Sequence, residues 1–358
     1  MKFVKDIGEK RLIKEIIKPI FQTKQENIKS LIVGIGDDAA VIEVEKNTCV
    51  VVSIDKIPED PIAFQEGIMS YYEMGYFLVV ANISDIAAMG AKPMGVVLCY
   101  GLPEDFKIKE VKELTYGAKK AAIDHKVVIL GGDTGWVSSP RCLIGAAIGK
   151  VSKDKILRRD KAKKGDLIFV TGTIGLFSTA LIYFLLARKK GLKLTPYEER
   201  ILRYKLIKPK ARIREGVLLA NAGYCTSCMD ITDGFSVSIN ELMESSNVGF
   251  EIYKSKLPIS DLTIKVANFL NLDYVDLAFA AGADFELIGT IDEELYFSSP
   301  RKYQFVKIIG KVCSKSKKFL IDDEGEKREI LPIGWEHFKG SAVDTILNQF
   351  KFKQDRKR

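Results

Sequence analysis

Apolar residues recur at two spacings along the first 155 residues. Helical spacing, with apolar positions three or four residues apart, predicts helices over residues 9–21, 67–88 and 109–125. Short apolar runs that end at glycine or aspartate predict strands over residues 31–33, 49–54, 94–100, 127–130 and 143–151. Because helices and strands alternate through short connections, this half of the chain is predicted to be an α/β domain.

A turn at residues 163–166 (KKGD) follows and is a candidate domain joint. Beyond it, strands are predicted over residues 167–170, 249–253, 284–291 and 305–312, with helices over 174–187 and 233–245. The charged stretch 188–203 is expected to face solvent. A chain of 358 residues is long enough for two cores, so we predict an N-terminal domain over residues 1–155 and a C-terminal domain over 156–358.

The composition, with 47% apolar and 28% charged residues, is ordinary for a cytosolic globular protein. The opening residues carry charge every few positions, which argues against a signal peptide. The longest apolar stretch, 174–187, is interrupted by Ser178 and Thr179 and is shorter than the ~20 residues that a membrane helix needs. The six cysteines form no disulfide framework, and Cys225 and Cys228 are expected on a buried strand leading to Asp230. We therefore expect a cytoplasmic protein with no membrane partner.

The formal net charge of +8 raises the question of nucleic-acid binding. Lysine and arginine are spread along the whole chain, and no DNA- or RNA-binding motif accompanies them. The basic end at residues 351–358 is expected to be a solvated tail. We expect no nucleic-acid partner; a basic balance also suits a protein that handles polyphosphates.

Aspartates occur repeatedly at the ends of apolar strands or in turns of small residues. The set comprises Asp37, Asp38, Asp55, Asp85, Asp133, Asp230, Asp233 and Asp284. A carboxylate in an apolar, glycine-lined setting is unfavourable without a cation, and Mg²⁺ is bound by carboxylates together with water and phosphate oxygens. Any one of these residues could instead be a helix cap or a turn residue. Their repetition favours an acidic, multi-metal phosphate site.

Other kinds of site find little support. The chain has two histidines, His125 and His337, too few for a histidine-rich metal centre. It contains neither a Gly-x-Ser-x-Gly nucleophile elbow nor a GxxxxGK[ST] phosphate loop. The stretch TGTIG at 171–175 resembles a phosphate-binding turn before a helix, although strand-to-helix packing explains it equally well.

Seven motifs together resemble a known superfamily. In order they are GIGDDAAVI, VVSID, NISDIAAMGAKP, LGGDT, VTGTIG, DITDGFS and GADFELIGTI. The chain is identified by them as a member of the aminoimidazole ribonucleotide synthetase-related superfamily, over residues 34 to 338. The resemblance implies an N-terminal α/β domain whose sheet forms a dimeric barrel with its partner's sheet. It also implies a C-terminal α+β domain that closes over ATP and several Mg²⁺ ions.

Within the superfamily the chain is most similar to thiamine-monophosphate kinases, which end in a stretch like GWEHF at 334–338. It lacks the early cysteine of selenophosphate synthetases and the C-terminal cysteine of the hydrogenase-maturation carbamoyl dehydratases. The resemblance implies transfer of a phosphoryl group from ATP to thiamine monophosphate in a homodimer.

The same resemblance implies roles for individual residues. The metal ligands would be Asp37, Asp38, Asp55, Asp85, Asp133, Asp230 and Asp233, of which Asp38, Asp85 and Asp133 would be catalytic. The nucleotide would be bound by Gly36, Gly131, Gly132, Thr134, Gly172, Thr173, Asp233 and Gly234. Trp335 and Asp284 would contact the substrate, although Trp335 is equally plausible as a core residue.

Three departures concern the acceptor side. The run 56–64 lacks the histidine that the family usually has there, Gly135-Trp136-Val137 follows the GGDT motif, and a Gly-Gly-Asp-Asp-Tyr-Glu-Leu motif is reduced to GADFEL. Two alternatives therefore stay open. One is a related ATP-dependent enzyme acting on another phosphorylated or amide substrate, and the other is a non-catalytic nucleotide-binding protein.

Overall fold

The computed structural model describes residues 29–331, except 281, 300–302 and 315–316, together with residues 6, 11–13 and 15–17 near the N terminus. Residues 11–13 and 15–17 are helical, as the periodicity predicts; the remainder of the helix predicted over 9–21 lies outside the described residues. Trp335 and the basic tail at 351–358 also lie outside them.

A six-stranded sheet forms the N-terminal half. Its strands are β1 (Leu31–Val33), β2 (Ala40–Glu45), β3 (Thr48–Lys56), β4 (Lys92–Leu102), β5 (Val128–Trp136) and β6 (Cys142–Ser152). They lie in the order β1-β2-β3-β6-β4-β5, and all neighbours are antiparallel except β4 and β5. The sheet is open within the described residues, with β1 and β5 at its edges. The dimeric barrel therefore stays a prediction.

Two long helices cover one face of this sheet. A short helix, α1 (Ile62–Gln65), precedes α2 (Tyr71–Ala88), which packs against β3, β4, β6 and α3 (Ile108–His125). Helix α2 begins at Ser70, whose hydroxyl and backbone N–H form a capping box with Glu73. Helix α2 is buried over most of its length, so its polar residues Asn82 and Ser84 lie in the protein interior.

The opposite face of the sheet is apolar and exposed. Val52 and Ile54 point away from the helices, whereas Val51 and Ser53, which alternate with them, are buried. Leu130 on the edge strand β5 is exposed as well. A pleated face of this composition is typical of a surface that another protein layer covers.

A seven-stranded sheet forms the C-terminal half. Its strands are β7 (Leu167–Thr171), β8 (Cys225–Asp230), β9 (Gly249–Tyr253), β10 (Leu287–Ile291), β11 (Val306–Cys313), β12 (Lys318–Ile321) and β13 (Lys327–Glu329). They lie in the order β13-β12-β9-β11-β7-β10-β8, and β12 and β9 are the parallel pair. Cys225 and Cys228 lie on β8, which confirms the strand predicted to lead to Asp230.

Seven helices of the C-terminal half are described. They are α4 (Leu176–Ile182), α5 (Pro196–Ile207), α6 (Ile213–Ala222), α7 (Phe235–Ser246), α8 (Asp261–Phe269), α9 (Tyr274–Ala280) and α10 (Glu293–Ser298). The charged stretch 188–203, which was expected to face solvent, is partly buried. It contains most of α5, which starts with a Thr195–Glu198 capping box and buries Leu202 and Leu206 against the core.

Helix α2 joins the two halves, since it contacts α6 and β8 as well as the first sheet. Phe77 on α2 packs edge-on against Phe285, with 5.3 Å between the ring centres. Ser84, two turns further along α2, donates a hydrogen bond to the carboxylate of Asp230 at the end of β8. Among the helices that the structure describes, none is both long and apolar enough to cross a membrane.

Candidate functional site

Four elements bring carboxylates together where the two halves meet. Asp37 and Asp38 lie in the β1–β2 loop, Asp55 near the end of β3, Asp85 in the last turn of α2 and Asp230 at the end of β8. Carboxylate oxygens of Asp38, Asp85 and Asp230 lie within 4.8 Å of one another. Asp55 lies near enough to Asp85 for each carboxyl group to shift the pKa of the other. The structure thus brings together five of the seven predicted metal ligands.

Buried polar residues of α2 position two of these carboxylates. The amide Oδ1 of Asn82 accepts a hydrogen bond of 3.0 Å from the backbone N–H of Asp55, and its Nδ2 donates to the carbonyl of Leu78 at 2.8 Å. The hydroxyl of Ser84 donates to Asp230. The polar interruptions in the α2 sequence are therefore contacts of the site rather than a solvated face.

Repulsion and burial dominate the electrostatics of the cluster. Burial raises the pKa of Asp55 to about 6, and the nearby Asp38 adds to that rise. Burial and the neighbouring Asp38 likewise raise the pKa of Asp37 to about 6. The pKa values of Asp85 and Asp230 lie well above the ordinary range, first because both side chains are buried and then because other carboxylates lie beside them. Such a cluster favours protons or cations.

Arg159 is the cationic side chain that contacts this cluster within the described part of the chain. Its guanidinium forms a close ion pair with Asp38, lies 3.9 Å from Asp37, and pairs with Glu241 of α7 at 3.2 Å. The sequence did not single it out, because it lies in a stretch with several other basic residues and its partners are more than 80 residues away.

A second group of predicted residues lies on β5 and is not part of the three-carboxylate cluster. Asp133, Gly131, Gly132 and Thr134 are exposed along this edge strand, next to the exposed Trp136. Within the described residues, Asp133 is not among the carboxylates that lie within 4.8 Å of one another. Its role as a metal ligand and catalytic residue stays a prediction.

The TGTIG loop between β7 and α4 is held by two buried acidic residues. Asp284 accepts hydrogen bonds from the backbone N–H groups of Gly175 at 2.5 Å and Phe177 at 3.0 Å, which caps the start of α4. Glu286 accepts from the Thr171 hydroxyl at 2.8 Å and forms a forked ion pair with Arg212. Asp284 therefore holds the start of α4 in place, and its predicted contact with substrate stays a prediction.

The remaining predicted residues lie in loops at helix starts or beside the cluster. Gly36 precedes Asp37 and has φ +119°; Gly234, with φ +117°, precedes α7 and follows Asp233. Thr173 lies in the TGTIG loop after Gly172. These positions stay predictions for nucleotide binding, and Trp335 lies outside the described residues.

The residues of the cluster fit a divalent cation. Oδ2 of Asp38 is buried and has no hydrogen-bond partner among the described residues. The ligand atoms are carboxylate oxygens from several elements, the donor type that Mg²⁺ takes in proteins. A cation at this place would relieve the repulsion that raises the pKa values of these aspartates.

Comparison with known proteins identifies the protein family to which the chain belongs. The family model described as AIR synthase related protein, N-terminal domain, matches residues 36–151, and the corresponding C-terminal domain model matches residues 163–323. With its two mixed sheets and an acidic site between them, the chain is an AIR synthase-related protein.

Individual relatives identify the particular family within this class. The thiamine-monophosphate kinase of Pyrococcus horikoshii is 36% identical over 313 residues, which cover 86% of this chain and 92% of the relative. The thiamine-monophosphate kinase of Bacillus subtilis is 31% identical over 316 residues, covering 87% and 94%. The solved structure "AaThiL complexed with AMPPCP and TMP" superposes with a TM-score of 0.76 at 25% identity, covering 94% of this chain and 99% of that one. The chain belongs to the thiamine-monophosphate kinase family.

Proposed function

We propose that the protein transfers the γ-phosphoryl group of ATP to thiamine monophosphate, giving thiamine diphosphate and ADP. The observation that carries this proposal is the cluster of Asp38, Asp85 and Asp230, assembled from both halves of a chain that belongs to the thiamine-monophosphate kinase family. In phosphoryl transfer the protein mainly positions the reactants and neutralises charge. An acceptor that is already an ionised phosphate needs no general base, which suits an acidic cluster whose described residues include no histidine.

The residues of the site divide into metal ligands and positioning residues. Asp37, Asp38, Asp55, Asp85 and Asp230 would hold Mg²⁺, which when bound neutralises phosphate charge. Asp133 and Asp233 would add ligands from β5 and from the loop before α7. Asn82 and Ser84 keep the carboxylates in place through their hydrogen bonds to the Asp55 backbone and the Asp230 side chain.

For the nucleotide, we propose the loops around Gly36, Gly172 and Gly234, together with the exposed GGDT segment of β5. Glycines in these loops let backbone N–H groups approach phosphate oxygens closely. The solved structure "AaThiL complexed with AMPPCP and TMP" aligns with 94% of this chain, which supports a shared mode of nucleotide binding.

We also propose a homodimer, in which the exposed sheet face around Val52 and Ile54 meets the same face of a second copy. A two-fold arrangement would cover apolar surface that is otherwise in contact with water. The two domains would divide near residue 155, between the last strand of the first sheet and the first strand of the second. Because the reaction consumes ATP, we place the protein in the cytoplasm.

The test is to incubate the purified protein with Mg-ATP and thiamine monophosphate and to follow thiamine diphosphate by fluorescent thiochrome chromatography. The expected result is product formation that requires Mg²⁺ and is lost in Asp38→Asn. ATP binding without thiamine diphosphate would contradict the proposal. It would favour another phosphorylated or amide acceptor if a screen finds turnover, and a non-catalytic nucleotide-binding role if it finds none.

A further inference from the structure

Arg212 lies at the start of α6, where the chain is held by helices of the first half. The backbone N–H of the preceding Ala211 donates to Nε2 of His125, the last residue of α3, at 3.3 Å. One turn into α6, Gly216 lies so close to the Ala87 carbonyl of α2 that a Cβ at Gly216 would collide with it. The backbone from which the Arg212 side chain extends is therefore fixed by the two helices that cover the first sheet.

The Arg212 side chain reaches into the second half, where its partner is the buried Glu286. Its Nε donates to Oε2 of Glu286 at 2.6 Å and its Nη2 donates to Oε1, so the two groups form a forked ion pair. Burial would lower the pKa of Arg212, but Glu286 and then Glu215 raise it above its ordinary value, so the guanidinium stays charged. Lys205 is further away, with 3.8 Å between its Nζ and Oε1 of Glu286. Arg212 is therefore the closest positive charge to this carboxylate within the described part of the chain.

The same carboxylate holds the beginning of the TGTIG loop. Oε2 of Glu286 accepts from the Thr171 hydroxyl at 2.8 Å, and the oxygen of that hydroxyl accepts from the backbone N–H of Leu287 at 2.8 Å. Gly172, with φ +59°, lies so close to the carboxylate that a Cβ there would overlap it. Asp284 holds the other end of the loop by its hydrogen bonds to backbone N–H groups. Glu286 is therefore the contact through which a change at Arg212 reaches the loop.

We propose that Arg212 is a positioning residue of the transfer site, which acts through Glu286 to hold the TGTIG loop in place relative to the carboxylate cluster. The inference rests on the proposed function, because it takes this loop as part of the ATP site. Arg212 does not contact ATP. Its backbone is fixed by α2, which also carries Asp85, whereas the loop belongs to the second half, so the ion pair sets the position of the loop relative to the cluster. A small displacement of a binding group weakens binding and slows transfer.

Two binding measurements test this role without any acceptor present. Mn²⁺ binding to the protein alone, followed by the electron paramagnetic resonance signal of free Mn²⁺, reports on the carboxylate cluster. Mg-ATP binding by calorimetry reports on the complete nucleotide site. The variants are Arg212→Gln, Arg212→Lys, Glu286→Gln and the double variant Arg212→Gln/Glu286→Gln. Thr290→Val is the matched control, because the buried Thr290 hydroxyl contacts those of Thr226 and Ser227 at the end of β10 that lies away from Glu286.

Arg212→Gln is expected to bind Mn²⁺ within about threefold of the wild type, because the cluster keeps its carboxylates, and to bind Mg-ATP at least about tenfold more weakly, because the loop is no longer held. Glu286→Gln should show a smaller loss for Mg-ATP, since its amide oxygen can still accept from the Thr171 hydroxyl. The double variant should bind Mg-ATP no more weakly than Arg212→Gln, because both changes break one link. Arg212→Lys should lie between Arg212→Gln and the wild type, since it keeps the charge without the fork. Thr290→Val should be less stable toward urea but bind both ligands within about threefold of the wild type.

Wild-type affinity of Arg212→Gln for Mg-ATP would overturn the inference, and so would equal losses of Mn²⁺ and Mg-ATP affinity in that variant. Thr290→Val binding Mg-ATP as weakly as Arg212→Gln would overturn it in favour of a role in stability alone. If Arg212→Gln does not fold, Arg212→Lys and the double variant are compared with Thr290→Val by the same criteria. If the wild type makes no thiamine diphosphate but the variants bind as expected, the inference stands and the acceptor assignment falls. A wild type that binds no Mg-ATP would overturn both.

Discussion

The hydroxyl of Ser84 in α2 donates a hydrogen bond to the carboxylate of Asp230 at the end of β8, and both side chains are buried. The two residues are 146 positions apart in the chain. Ser84 lies on the helix that covers the first sheet and Asp230 on a strand of the second sheet, so their contact joins the two halves of the molecule at the acidic cluster. The same helix carries Asp85 one residue later. A serine in an apolar helix thus orients a carboxylate that the other half supplies.

Replacing Ser84 with alanine should therefore destabilise the protein. A hydrogen bond to a charged group contributes about 1.5–3 kcal/mol, whereas a neutral one contributes about 1 kcal/mol. Ser238→Ala is the matched control, because the Ser238 hydroxyl is also buried and donates to the backbone carbonyl of Asp230 at 3.2 Å. Urea unfolding in Mg²⁺ should show the larger loss for Ser84→Ala. Equal losses would mean that the hydrogen bond from Ser84 to the carboxylate stabilises the protein no more than the bond from Ser238 to a neutral carbonyl.

Asp85→Asn should separate activity from stability. The side chain is surrounded by Asp55, Asp230 and Asp38, which together with burial raise its pKa, so removing its charge relieves repulsion when no metal is bound. We expect an unchanged or higher melting temperature in EDTA and a loss of thiamine diphosphate formation of about 10³-fold, the scale of losing one charge-stabilising group. The exposed Asp154→Asn is the control and should change neither. An active Asp85→Asn enzyme would argue against Asp85 as a metal ligand.

Much of the site could be predicted from sequence because its carboxylates sit in local patterns: a strand end, a small-residue turn, or a polar break in an apolar helix. Asp38, Asp55, Asp85 and Asp230 all carry such a signal. Arg159 carries none, since only the tertiary fold selects it from its basic neighbours. The capping of α4 by Asp284 was equally hidden, because the capped helix begins more than 100 residues earlier in the chain.

For the strands, too, local sequence predicted one part and the neighbouring structure decided the rest. The apolar run at 127–130 predicted the start of β5, but the strand continues to Trp136 through residues of low strand propensity. Its parallel pairing with β4 extends over GGDT, and such pairing is decided by the neighbouring strand. Local propensity was enough for α2, α3 and α7, whose observed spans lie close to the predicted 67–88, 109–125 and 233–245, but it did not predict α5 or α6.

Gly172→Ala should be more damaging than a comparable glycine replacement elsewhere. Gly172 has φ +59°, and a Cβ there would collide with the carboxylate of Glu286, which pairs with Arg212 and Thr171. Gly67→Ala is the matched control, since Gly67 has φ +67° and open space around its Cβ position. We expect about 1–2 kcal/mol from the left-handed backbone in the control. The additional disturbance of a buried ion pair should cost at least about 2 kcal/mol more in Gly172→Ala, measured by urea unfolding.

Ile54→Arg should convert the proposed dimer to a monomer. Ile54 is 70% exposed at the centre of the apolar sheet face, and an arginine there would meet its counterpart across a two-fold axis. Ile108→Arg is the control, because Ile108 is also 70% exposed but begins α3 outside this face. Light scattering at micromolar concentration should give a monomer mass for the first variant and a dimer mass for the second. A monomeric wild type would contradict the dimer directly.

His125 should make part of the stability dependent on pH. The Nε2 atom of its ring accepts from the backbone N–H of Ala211 at 3.3 Å, and Nδ1 lies 2.9 Å from the Ala121 carbonyl, so the folded protein holds the neutral imidazole. Burial lowers the pKa of His125 below its ordinary value of 6.5. The stability from the neutral ring is thus complete above pH 6.5 and decreases as the pH falls below it.

The decrease has a maximal slope of about 1.4 kcal/mol per pH unit for one proton. Asp37 and Asp55, whose pKa values burial raises to about 6, act in the opposite direction, because their protonated forms favour the folded state as the pH falls. His125→Gln is therefore the necessary comparison, since it removes one titration and keeps the others. Urea unfolding of both proteins between pH 5 and 7.5 in EDTA should show that the wild type loses more stability than His125→Gln on acidification. Parallel curves would mean that the ring is protonated in the folded state as readily as in the unfolded chain.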